Sequence, residues 1–282
     1  MKFSSETNSD NNRMCRPSSH SMPMKTYSMQ TSVCQLRRRS VLSALFLGVA
    51  LLLPGRMLAN TTENQSTTDA SGSSSLTGTA NWTPSTTVAP TNLLATTYDY
   101  ISALTLRTPQ NQNSYTIYAD SLTLNSGGSM GFKGSNVITI PNFILNGGKI
   151  ANSATSGNPD MARLAGNINL TASSSLSPNG AGTFINMLAT ITNNGSSTPT
   201  LTLGAAGTVI LSAQNTFTGN ITVNNVASGA ILQLGTNSAV PATAVIQLNG
   251  GANGAPIFDL HGFNTTIAGL NPTSGTLIVV LP

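Results

Sequence analysis

The chain reads as an all-β protein: a β-solenoid of stacked coils, set behind a signal peptide and a disordered Ser/Thr-rich linker. Three observations predict this. Charged residues make up 7% of the 282, against about 25% in ordinary soluble domains. Short apolar segments alternate with polar residues at period two, and Asn and Gly punctuate their ends. The turns themselves recur, with Asn125 and Asn146 at equivalent places 21 residues apart. The sequence divides into residues 1–59 (an N-terminal extension and signal peptide), 60–95 (the linker and a cap) and 96–282 (the repeat region).

The leader comes first. Arg37-Arg38-Arg39 precede an apolar run over residues 41–53, followed by Pro54, Gly55 and Met57-Leu58-Ala59. A basic flank, a short apolar core and a small terminal residue define a secretory signal, with cleavage expected near Ala59. The run falls short of the roughly 20 apolar residues of a membrane-spanning helix. An uncleaved membrane anchor is the alternative reading. Residues 1–36 form a long polar extension, and Met29 would begin a signal of ordinary length. Arg38-Arg39-Ser40-Val41-Leu42 resembles the twin-arginine export motif, although Arg37 stands where Ser or Thr is usual. Sec export is the default expectation, and the leader meets a membrane only during export.

In the linker, sixteen of the thirty-two residues from Asn60 to Thr91 are Ser or Thr. Such a stretch buries too little apolar surface to offset its ordering entropy. Trp82 stands apart, and it suits a cap over the first coil, since the open end of a repeat stack needs covering.

The repeat region then shows period-two segments such as Ser121-Leu122-Thr123-Leu124, Val137-Ile138-Thr139-Ile140, Leu201-Thr202-Leu203 and Ile221-Thr222-Val223. Leu122-Thr123-Leu124-Asn125-Ser126-Gly127-Gly128 is echoed by Leu145-Asn146-Gly147-Gly148 and by Leu248-Asn249-Gly250-Gly251. The third turn lies 103 residues beyond the second, close to five periods of the first spacing. A strand, turn and strand at about 20 residues is a solenoid signature. Stacked coils would let Asn side chains ladder and would use Gly for positive φ angles. An antiparallel β-sandwich has similar punctuation, but the repeat period favours the solenoid.

Composition narrows the chemistry. The formal charge of +4 and pI of about 9.3 belong to the leader, where eight of twelve Lys and Arg lie. From Asn60 onward Arg107, Lys133, Lys149 and Arg163 face six acidic residues, a net charge of −2. No basic cluster is visible, so nucleic acid is not an expected partner. Cys15 and Cys34 both precede residue 60, and His261 is the one histidine after it. A cysteine-based zinc site or nucleophile is therefore excluded beyond the leader, and so is any site needing two imidazoles. No catalytic, cofactor-binding or metal-binding residue is assigned, and no cofactor is expected. Asp99, Asp120, Asp160 and Asp259 are isolated in sequence, and Asp160 with Arg163 reads as a loop ion pair. A polysaccharide-degrading, lyase-like β-helix is the enzymatic alternative, because stacking can bring distant acids together.

The segment Ile210-Leu211-Ser212-Ala213-Gln214-Asn215-Thr216-Phe217-Thr218-Gly219-Asn220-Ile221-Thr222-Val223 resembles the autotransporter-associated β-strand repeat. Ala230-Ile231-Leu232-Gln233-Leu234-Gly235, Ala239-Val240-Pro241, Leu248-Asn249-Gly250-Gly251 and the stretch Phe258 to Leu270 continue the likeness over about sixty residues. Ala213 departs from the usual Gly, Asn253-Gly254-Ala255-Pro256 looks like an insertion, and His261 reads as a turn residue. The resemblance implies a right-handed parallel β-helix passenger region of a secreted or cell-surface protein of a Gram-negative bacterium. It implies no catalytic residues. No barrel-like C-terminal segment follows, and the apolar end Thr276 to Pro282 suggests a truncated member or a rung that a partner covers. The expected role is structural or adhesive, with surface glycans or other surface proteins as partners. Tyr98, Tyr100, Tyr115 and Tyr118 would stack on sugar rings or, preferably, cap the first coils.

Overall fold

The computed structural model describes residues 59–280 apart from 71, 85–87, 111–112, 154–160, 196, 225–228, 252–253 and 275–277. The expected signal peptide, both cysteines, Asp160 and the last two residues lie outside the described residues.

Period-two alternation forces one set of side chains inward on every strand, and a single coil cannot cover that set. Stacking covers it. The strands pair in parallel with the same segment of the neighbouring coil, in one 13-stranded and one 8-stranded sheet. Among the described residues the antiparallel exception is Thr61–Gln65 with Trp82–Thr83. The fold is therefore a parallel β-solenoid of about 7 turns, and the sandwich alternative falls.

Each central coil has three faces. Strand Val137–Asn146 bends at Pro141-Asn142 and so supplies two of them. Strand Lys149–Asn152 supplies the third, and Met161–Ala172 then restarts the circuit one coil higher. Residues 163–166 pair with 137–140, and 168–172 with 143–146. The third faces stack separately as the 8-stranded sheet. From Tyr98 onward, register partners on neighbouring coils are as little as 20 residues apart (Leu201 and Ile221) and as much as 27 (Ser174 and Leu201).

Identical registers turn the inward residues into columns. Tyr100, Leu122, Phe143, Ile168 and Ile191 form one. Leu106, Met130, Ile150, Leu176, Leu203, Val223 and Leu248 form another. All are buried in one core cluster. Each fully buried aliphatic side chain contributes about 1.5–3 kcal/mol, which is how a chain so poor in charge and helix closes a core.

The Gly pairs serve two purposes. Gly127 and Gly147 both take φ +85°. A Cβ on the following Gly128 or Gly148 would strike the Leu124 side chain. Above them Asn146 Nδ2 donates to Asn125 Oδ1 at 2.8 Å, the expected ladder. The third echo corrects the sequence reading. Asn249 ends strand Val245–Asn249 in the 8-stranded sheet, whereas Asn125 and Asn146 belong to the other sheet. Its partner is Asn224 at 2.7 Å, 25 residues away. Coil length varies, so five equal periods reach the wrong corner.

The described residues of 60–95 are a second correction. Expected to be mostly flexible, they fold over the first coil: Thr61–Gln65 pairs in parallel with Tyr98–Ser102. Polar bonds replace apolar burial there. Gln65 Nε2 donates to the Thr67 and Thr105 carbonyls at 2.8 and 2.9 Å, and Ser102 Oγ donates to Gln65 Oε1. Trp82 is the cap the sequence suggested. It is 2% exposed, its Nε1 donates to the Ser75 carbonyl at 2.8 Å, and its ring meets Tyr100 edge-on at 4.8 Å.

Candidate functional site

The outward residues of the 8-stranded sheet make the most regular surface of the molecule. Thr105, Ser129, Lys149, Ser175, Thr202, Thr222, Gln247 and Asn271 occupy one register position on successive coils. Every one is polar, and Lys149 alone is charged. Along such a strand these polar positions alternate with buried aliphatic residues, so Thr202 stands between Leu201 and Leu203 and Thr222 between Ile221 and Val223. Coils stack about 4.8 Å apart. Donors and acceptors are thus repeated along a flat face at a spacing close to that of extended polymer units. The pattern was legible in the sequence at Thr105, Thr202, Thr222 and Gln247, each the polar member of an aliphatic-polar-aliphatic triplet. It was not legible at Ser129, Lys149, Ser175 or Asn271, which lack an aliphatic neighbour on one side.

At one end of that sheet the ladder Asn224, Asn249 and Thr273 continues the theme, with Thr273 Oγ1 donating to Asn249 Oδ1 at 2.7 Å. The opposite outer surface differs. On the strands that run from Met161–Ala172 through Phe184–Met187 to Ile257–Asp259, Met161, Phe184, Thr208, Ile231 and Ile257 share one outward register position.

Among the described residues, Asp99, Asp120 and Asp259 do not converge on one centre. Asp99 accepts from Ser121 Oγ at 2.6 Å, and Asp120 on the next coil accepts from Asn60 Nδ2 at 2.7 Å. Asp259 accepts from Gln233 Nε2 at 2.6 Å and from the His261 amide at 2.9 Å. Arg163 shares a register column with Asp259 but with Asn186, Ile210 and Gln233 between them, roughly 19 Å at the usual coil spacing. Its guanidinium donates to the Ser135 carbonyl. The expected Asp160–Arg163 pair falls on Asp160, outside the described residues. Among the described residues no group of three or more His, Cys, Asp and Glu is placed to hold a metal ion.

Tyr100 is fully buried and donates to the Val88 carbonyl at 2.6 Å, and Tyr98 stacks on it at 6.2 Å. Tyr98 and Tyr115 pack partly buried against the core, while Tyr118 is exposed. Tyr98 and Tyr100 are thereby engaged in the capped first coils, whereas Tyr118 is left exposed. His261 is a turn residue with φ +47°.

Sequence reasoning missed Asp69. It is 1% exposed and accepts from the Ser75 amide and hydroxyl, from Asn81 Nδ2 at 2.9 Å and from the Arg107 amide at 2.8 Å. Its partners lie 6, 12 and 38 residues away, so no local pattern announces it.

The motif residues that carried the family resemblance have structural duties. Asn215 Oδ1 accepts from the Ile191 amide at 2.7 Å, and its Nδ2 donates to the Ala239 carbonyl at 2.6 Å, so one side chain joins three coils. Phe217 is fully buried, and a Cβ on Gly219 would collide with the Pro199 carbonyl. The chain matches no family in the comparison, no curated protein and no solved structure.

Proposed function

We propose that this is an exported, cell-surface β-solenoid of the passenger type, a structural or adhesive element that acts through its surface without catalysis. The observation that carries the reading is the polar, nearly uncharged column from Thr105 to Asn271 on the 8-stranded sheet. Such a face offers hydrogen bonds at a regular pitch to a glycan chain or a surface protein, and its scarcity of charge disfavours a polyanion such as nucleic acid. The basic and apolar leader at residues 37–59 supports export, and the resemblance of residues 210–270 to the autotransporter-associated repeat supports the passenger class.

The test has two parts. Expressed in a Gram-negative host, the protein is expected outside the cytoplasm with a mature N-terminus near Asn60. The purified repeat region is then screened on a glycan array beside the double variant Thr202→Asp, Thr222→Asp. A glycan signal that the variant loses supports adhesion through this face. A full-length cytoplasmic product defeats the export reading, and depolymerisation of an array polysaccharide would replace adhesion with the lyase-like alternative.

A further inference from the structure

The N-terminal cap holds more polar chemistry than closing a solenoid requires. A cavity of about 350 Å³ is lined by Thr68, Ser73, Ser74, Ser75, Gly78 and Asn81, with Ala70 and Ala80. That is the lower end of the size range of small-molecule sites, roughly 300–1,000 Å³, and suits a single sugar-sized ligand. Ser74 lines it, and its hydroxyl is buried without a hydrogen-bond partner. Buried polar atoms in folded proteins are nearly always paired, so an orphan beside a cavity points to something that binds there.

One cation reaches this wall, and a second lies close to it. Lys133 Nζ donates to the Ser73 carbonyl at 3.4 Å. Arg107 lies on the neighbouring coil, in register with Gly131 two residues before Lys133, and its Nε is buried without a partner. Burial and the Arg107 guanidinium hold the Lys133 ammonium below its ordinary value of 10.5, against the pull of Asp69. Asp69 does not quench the pair by direct contact, since its two oxygens are taken up by Ser75, Asn81 and the Arg107 backbone. With Asp69 ionised, the corner carries one net positive charge.

We propose that this corner binds a small polyhydroxylated molecule bearing one oxyanion, a carboxylate or phosphate. Lys133 and Arg107 supply the charge, and Ser73, Ser74 and Asn81 supply hydrogen bonds to hydroxyls. The fixed carboxylate of Asp69 disfavours a ligand with a second negative charge nearby. The site adjoins the Thr105 end of the polar column, through the strand Thr105–Arg107, and does not depend on export. Sequence alone hides it, because the basic residues look scattered. The signal is their spacing: 26 residues separate Arg107 from Lys133. That is the 24-residue coil from Arg107 to Gly131 and two residues more, enough to return to the same side of one strand.

The test titrates isotope-labelled protein with glucuronate, glucose 6-phosphate, inorganic sulfate and glucose at constant ionic strength, following backbone amide shifts. At least one acidic sugar is expected to bind saturably, with shifts confined to residues 68–81 and to the neighbourhood of Arg107 and Lys133, while glucose does not bind. Which acidic sugar binds tells carboxylate from phosphate. Lys133→Met is expected to weaken binding about tenfold or more and Lys133→Arg to retain it, with the unfolding midpoint unchanged in both. Failure of both acidic sugars, equal binding of glucose, sulfate binding without either sugar, or wild-type affinity in Lys133→Met would overturn the proposal.

Discussion

Single polar side chains decide whether neighbouring coils stay in register. Asn215 is 5% exposed and bonds the backbone of the coil before it and the coil after it. Replacing it with Ala would leave the Ile191 N–H and the Ala239 carbonyl buried and unpaired. Each such orphan costs about 1–3 kcal/mol, so Asn215→Ala should lose about 2–4 kcal/mol in urea unfolding. Exposed Asn271→Ala should stay within about 0.5 kcal/mol of wild type. Glu63 has the opposite character. It faces the interior at 2% exposure with Oε2 unpartnered, and burial raises its carboxyl above the ordinary 4.5. The folded state therefore holds this proton more tightly than the unfolded chain. Stability is full below pH 4.5 and falls as the pH rises through the folded value. Glu63→Gln should remove that slope, making the variant more stable than wild type at pH 7 but not at pH 4. Parallel unfolding curves at the two pH values check it, and an equal difference at both would contradict the burial argument.

At the scale of elements, the first coil ends the stack by changing its chemistry. Strand Thr61–Gln65 presents Glu63 and Gln65 to the interior, where the coils behind it present Tyr100, Leu122 and Phe143. An inward charge and a Trp lid together discourage a further coil from pairing there. Trp82→Ala should cost about 3–5 kcal/mol, because the indole fills space over Tyr100 and its N–H serves the Ser75 carbonyl. It should also promote self-association, visible as concentration-dependent sedimentation. A monomer of unchanged stability would show that the cap is ornamental. The sequence revealed Trp82 as a cap because it is the lone aromatic residue between Asn60 and Thr91. It concealed the rest of the cap, since Ser and Thr counts report what a segment cannot bury but not which carboxylate it will surround. For the same reason Asn249 was matched to the wrong corner. Period-two patterning identifies a strand, yet it carries no label for which of three faces the strand belongs to. Once coils vary from 20 to 27 residues, counting loses phase within a few turns.

At the scale of the molecule, a solenoid is a one-dimensional stack in which each coil touches only its neighbours, so its stability is distributed along the axis. The two ends are unequal. At the first coils Leu76, Trp82 and Tyr100 are almost wholly buried. At the other end the inward residues Leu260, Phe263, Ile267 and Leu270 are only partly buried. Their counterparts in the preceding coil, Leu234, Val240 and Ile246, are closed off entirely or nearly so. Local opening free energy follows buried apolar contact and protected backbone hydrogen bonds. Hydrogen exchange followed by mass spectrometry should therefore show a gradient in the described chain. Peptides covering residues 121–211 should be the slowest, those of residues 61–102 nearly as slow, and those of 257–274 the fastest. Opening from one end also predicts that Leu203→Ala, in a central coil, lowers protection on both sides of it. Leu270→Ala, at a position only partly buried, should lower protection less. Uniform exchange along the whole chain would mean that the coils open as one cooperative unit, and coupling between neighbouring coils would then outweigh the difference in burial at the two ends.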